Sequence, residues 1–162
     1  MGQYIANSVN AKDFTLSLNN VDIGVLRYTK WYSFEAGIVL ADHSSYQLQP
    51  TGFWNSKIEL TKDNEKWLDF EMGWKGIIIN FSNSEEKYLL QLKGFLDSRF
   101  VLVDTNEKEL LAIEADFKWK KFIMDFNIET SNEFDSFENK EILLFTTVHC
   151  VNYYMAFANG FI

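Results

Sequence analysis

The chain has 162 residues, 47% hydrophobic and 17% aromatic, with 15 Phe, 7 Tyr, 5 Trp and a single Pro. That much apolar surface excludes a disordered tail, and the length fits one domain, residues 1–162, rather than two. A formal charge of −8, from 23 acidic against 15 basic residues, argues against a broad electrostatic grip on nucleic acid or anionic lipid. Met1 to Asp13 offers neither the basic start nor the apolar run of a secretory signal, so a cytoplasmic protein is expected. From there the chain reads as short strands. Apolar residues alternate over Phe14 to Leu18, and the turn signal Asn19-Asn20 follows. Further turn clusters fall at Asp42 to Ser45, Lys62 to Glu65, Ser82 to Glu86 and Asp104 to Glu107. The runs between them, such as Trp74 to Phe81 and Phe100 to Val103, are rich in Val, Ile, Phe and Trp. This spacing predicts an antiparallel sandwich or barrel.

An internal repeat refines the prediction. Tyr46 to Phe53 aligns with Tyr88 to Phe95, an offset of 42, and the match continues through Ser56 and Ser98, Lys57 and Arg99, and Leu60 and Leu102. Trp74 to Phe81 aligns with Trp119 to Phe126 at an offset of 45. A fainter first copy matches Phe14, Leu16, Asn20 and Trp31 to Ile58, Leu60, Asn64 and Trp74. Units of about 14–45, 46–87 and 88–130, each of roughly four strands, give about twelve strands. The third unit is short of its fourth, because the polar stretch Ser131 to Glu141 follows Thr130. Such units are placed to close a sheet on itself and so remove its edges. A barrel of this width is not filled by its own side chains.

The last segment supplies a filling. Ile142 to Ile162 is 21 residues without a charge, and its apolar residues fall on every side of a helix. Such a helix is either enclosed in protein or spans a membrane. His149, Asn152 and Asn159 form a polar stripe that would need partners in lipid, and the flank Glu133, Asp135, Glu138 and Glu141 is acidic. The expectation is therefore a buried helix at about 141–160 and no integral membrane protein. The predicted fold is mainly β: a closed antiparallel barrel of about twelve strands around an apolar C-terminal α-helix.

That layout, with Gly52-Phe53-Trp54, Gly94-Phe95-Leu96, Trp74-Lys75, Trp119-Lys120 and the terminal helix, resembles the tubby C-terminal-like superfamily. Its members include tubby, the phospholipid scramblases and the plant LURP-one-related proteins. The resemblance covers about Asp13 to Ile162 and would make this chain a minimal member. Through tubby, it implies phosphoinositide binding by basic side chains on the barrel.

Candidate sites are few. Asp42-His43-Ser44-Ser45 holds the residue types of a hydrolase triad, yet adjacency gives no triad geometry, and Asp and Ser there favour a turn. His149 and Cys150 are consecutive and point about 100° apart on a helix, so both read as core residues. One cysteine excludes an internal disulfide, and with two histidines it is too little for a structural zinc site. No phosphate-loop pattern is present, and no cofactor or metal is expected. The basic group Lys118, Lys120 and Lys121 beside Trp119, with Lys75 repeat-equivalent to Lys120, is the candidate anion or headgroup site. Lys57 and Arg99 form a second equivalent pair. Against the site stand Glu114, Asp116 and Asp125, which flank the cluster as on any solvated strand face. The favoured function is non-enzymatic: a binding or scaffold barrel for an anionic lipid headgroup or a protein partner. The alternatives are a lipocalin-like carrier of a hydrophobic ligand and an enzyme using surface carboxylates.

Overall fold

A computed structural model describes residues 1–9, 13–30, 34–52, 57–93, 99–118 and 123–158. Twelve strands run in order: β1 (Gln3–Ser8), β2 (Asp13–Leu18), β3 (Val21–Lys30), β4 (Glu35–Leu40), β5 (Ser45–Thr51), β6 (Lys57–Lys62), β7 (Glu65–Gly73), β8 (Gly76–Phe81), β9 (Lys87–Lys93), β10 (Arg99–Val103), β11 (Glu109–Lys118) and β12 (Ile123–Thr130). Two helices follow, α1 (Asn132–Asp135) and α2 (Lys140–Ala158). Every strand pairs antiparallel with its sequence neighbours, and β1 joins β12 to β2, so the sheet is a closed barrel.

Local chemistry sets the hairpins. Asn19-Asn20 and Asp63-Asn64 take positive φ at both positions (52° and 63°, 52° and 66°), and Asn and Asp tolerate that backbone better than most residues. Each pair links strands that meet at Leu18↔Val21 and Lys62↔Glu65. Register shifts occur between Leu16 and Ser17, between Leu60 and Thr61, and between Leu102 and Val103. Pro50 lies within β5 opposite Ile58, beyond the last residue of β5 that pairs with β4, where its missing N–H costs no ladder bond.

The barrel's width explains the helix. Twelve strands spaced about 4.8 Å and tilted about 40° enclose a radius of roughly 12 Å. An α-helix with its side chains is about 10–12 Å across, which leaves roughly 6 Å for inward side chains from the wall. Every residue of α2 from Ile142 to Val151 is buried. The wall lacks a side chain at one close approach: a Cβ on Gly24 (φ +157°) would lie 3.0 Å from Phe145 Cζ and 2.6 Å from Val39 O. Among the described residues, no helix is long and apolar enough to cross a membrane.

Three details differ from the sequence reading. The expected units 14–45, 46–87 and 88–130 hold three (β2–β4), four (β5–β8) and four (β9–β12) strands, so the first unit and not the third is the short one, and β1, outside all three, completes the ring between β12 and β2. Strand β8 opens at Gly76, so Trp74 belongs to the turn and not to a strand start. Helix α2 begins at Lys140, and its expected end at 160 lies outside the described residues, as do 159–162. The short α1 is held by Ser131, whose Oγ accepts the Phe134 N–H at 3.2 Å.

Candidate functional site

In an antiparallel meander all odd-numbered strands end on one side. The β7–β8 and β11–β12 connections therefore share an end of the barrel with the C-terminus of α2, whose Tyr153 meets Phe34 at 4.8 Å and Tyr154 meets Phe100 at 5.4 Å. At this end β7 and β8 are joined by two residues, Trp74 and Lys75, between the pair Gly73↔Gly76. Trp74 is 94% exposed, and Lys75 is exposed beside it. Gly76 fixes the hairpin: its φ is +145°, and a Cβ there would stand 2.1 Å from Leu90 O. No residue with a side chain fits this approach, so the tip rises from a rigid wall.

The candidate lysines do not form one described cluster. Lys118 ends β11 and pairs with Asp125 on β12. Asp125 is 5% exposed, and its other oxygen accepts the Ser8 N–H at 2.8 Å. The hydrogen bond to Asp125, and then that carboxylate's charge, raises the Lys118 ammonium above its usual range. The lysine itself is exposed, so the pair lies on the outer surface of the wall. Lys75 lies three strands away from Lys118, roughly 15–20 Å round the rim. Lys120 and Lys121, with Trp119, lie outside the described residues. Lys57 stands 3.5 Å from Asp69 and 4.0 Å from Glu71, while Arg99 stands 3.7 Å from Glu114 and 4.0 Å from Glu109. Asp69 is covered by the wall: burial pushes its carboxyl up, but hydrogen bonds from Lys66 and Asn80 outweigh this and lower it.

The other sequence candidates have structural partners. Asp42 to Ser44 form the β4–β5 turn, with His43 N donating to Leu40 O at 3.0 Å and Ser44 N to Asp42 Oδ1 at 2.8 Å. His149 and Cys150 are both wholly buried in the axis. Tyr28 Oη lies 2.8 Å from His149 Nδ1 and accepts from Asn152 Nδ2 at 3.1 Å. Burial pushes the His149 imidazole down to about 3 and the Cys150 thiol up.

One feature escaped the sequence reading. At the opposite end Phe81, Tyr88 and Phe137 line a cavity of about 270 Å³ whose rim carries Glu86 and Glu138. Tyr88 was visible only as the repeat equivalent of Tyr46; Phe137 arrives from the segment between the helices, which no strand pattern foretells. Among the described residues, no group of three or more His, Cys, Asp or Glu is arranged to hold a metal ion. The chain matches no family model, and no curated protein or solved structure is similar to it.

Proposed function

We propose that this protein is a non-enzymatic binding barrel of the tubby-like kind, cytoplasmic, which meets an anionic lipid headgroup with the end that carries Trp74 and Lys75. The observation that carries this reading is the β7–β8 tip, where a fully presented indole adjoins a lysine on a rigid hairpin. A Trp ring has an apolar body and one N–H donor, which suits the boundary between water and acyl chains. A lysine near an anionic surface contributes about 1 kcal/mol. The occupied axis favours recognition from outside over carriage of a hydrophobic ligand within. The burial of His149 and Cys150 and the turn role of Asp42 to Ser44 favour a non-catalytic protein. The three-unit repeat belongs to the same reading, and support comes from the register shifts at Leu16, Leu60 and Leu102, which the alignment makes equivalent.

Vesicle co-sedimentation tests the proposal. Wild type should bind phosphoinositide- or phosphatidylserine-containing vesicles and leave phosphatidylcholine vesicles unbound. Trp74→Ala and Lys75→Glu should each weaken binding about fivefold, and Lys120→Glu/Lys121→Glu should weaken it further. Lys118 is left intact, because a glutamate there would face the buried Asp125 and damage the wall. No binding to anionic vesicles, or equal binding by all variants, would return this end to the role of a solvated rim and favour a protein partner.

A further inference from the structure

The cavity at the opposite end has a counterpart already filled by the protein itself. Tyr46, the second residue of β5, meets the Trp67 ring edge-on at 5.4 Å and 85°. Lys62 places its ammonium 5.2 Å from the Tyr46 centroid and 5.6 Å from that of Trp67. Tyr88 is the second residue of β9 and meets Phe81 in the same edge-on manner, at 6.0 Å and 82°. Phe137 adds a third ring, 6.1 Å from Tyr88. Among the described residues no cation stands over these rings. Lys62 stands two places after Leu60, and two places after the equivalent Leu102 the chain has Asp104. The third unit thus has a carboxylate where the second has an ammonium, and a separate cavity of about 270 Å³, lined by Phe81, Tyr88 and Phe137, lies beside Tyr88.

The surroundings carry matching charge. Glu86 and Glu138 are exposed on the cavity rim, and Glu86 Oε2 accepts the Tyr88 hydroxyl at 2.8 Å, which leaves its second oxygen for another donor. Burial, then Glu86, Asp104 and Glu133, raise the Tyr88 phenol. Lys108 is drawn off to Glu133, and the Lys140 ammonium donates to Asp135 O at 2.9 Å. Aromatic faces attract a cation, and carboxylates accept its N–H groups. A quaternary ammonium could use only the rings; a primary one uses both. The volume lies just below the range of drug-sized pockets, which fits one small amine or one side chain.

We propose that the cavity lined by Phe81, Tyr88 and Phe137 binds a primary alkylammonium group, either a free amine or the lysine side chain of a partner, held against aromatic rings as Lys62 is held against Tyr46 and Trp67. The site stands apart from the lipid-facing end and does not depend on it.

The test is an NMR-monitored titration of the intact chain with n-butylammonium, its neutral isostere 1-butanol, choline, and Nα-acetyl-lysine methylamide. Saturable shifts should centre on Tyr88 and Phe137. Binding of 1-butanol should be about tenfold weaker, and so should that of butylammonium to Glu86→Gln/Glu138→Gln. Both glutamates are exposed, so an unchanged melting temperature would separate loss of the site from loss of the fold. Equal affinity for the lysine derivative and butylammonium would identify a partner's lysine as a competent source. Binding of butylammonium alone would identify a free amine. Equal binding of 1-butanol, tighter binding of choline, full affinity in the double variant, or no saturable shift at Tyr88 would each overturn the proposal.

Discussion

His149 is a titratable group in the middle of a hydrophobic core, held by one hydrogen bond shared with Tyr28, with Nε2 buried and unpartnered among the described residues. Its stacking on Tyr28 at 5.3 Å and its contacts with Phe34 and Phe70 leave no room for a charge. Because the folded value is about 3 and the unfolded value about 6.5, the two states hold the same charge above pH 6.5. As pH falls, the unfolded chain takes up a proton that the folded chain refuses, so stability is lost from pH 6.5 down to about 3 and then levels off. The loss should reach about 2 kcal/mol at pH 5. Urea unfolding at pH 7 and pH 5 measures it, and His149→Gln should abolish the difference; an unchanged slope would move its origin to other groups. The sequence shows that His149 needs a partner. It does not show Tyr28, which is 121 residues away and is brought close only by the path of the barrel. The same holds for Lys118 and Asp125, a diagonal cross-strand pair fixed by the register Lys118↔Ile123 and Asp116↔Asp125. A flanking acid in the sequence thus became the partner that withdraws a lysine from the candidate site.

Among the elements, α2 bears the largest share of the core. Ile142, Leu143, Leu144, Phe145, Val148 and Val151 are all buried, and at about 1.5–3 kcal/mol each they contribute roughly 9–18 kcal/mol before entropy is counted. Net stabilities of domains are about 5–15 kcal/mol, so the barrel does not survive loss of the helix. Truncation from Leu143 onward should give unfolded or insoluble protein by circular dichroism and sedimentation. A soluble truncation with a cooperative melt would contradict that assignment. The helix is legible because a charge-free run of this length in a β-rich chain has few other places to go. Turns are legible for a related reason, since Asn and Asp pairs announce positive φ. Strand β1 is less so: its inward residues Tyr4, Ala6 and Ser8 give only a faint apolar alternation. Helix α1, four residues long, is set by the Ser131 cap and the burial of Phe134 rather than by any periodicity.

At the scale of the whole molecule, closure rests on β1, whose ladders Gln3↔Glu129 to Ala6↔Phe126 and Tyr4↔Leu18 to Ser8↔Phe14 seal two edges at once. Without residues 1–9, β2 and β12 would each present unpaired backbone groups to solvent, the usual template for edge-to-edge association. Size-exclusion chromatography of that truncation should show concentration-dependent oligomers; a well-folded monomer at all concentrations would mean that the barrel closes by another route. The same seam sets the timing of assembly during synthesis. The first strand made pairs with the twelfth, and the segment that fills the centre is made after both. At about 5–20 residues per second, β1 waits roughly 6–25 s for its partner to leave the ribosome. Through that interval the inward faces of the early strands have no helix to cover them. A ribosome that has made the strands but not yet α2 therefore carries a wall without a core, and the barrel can close only once that helix has followed them.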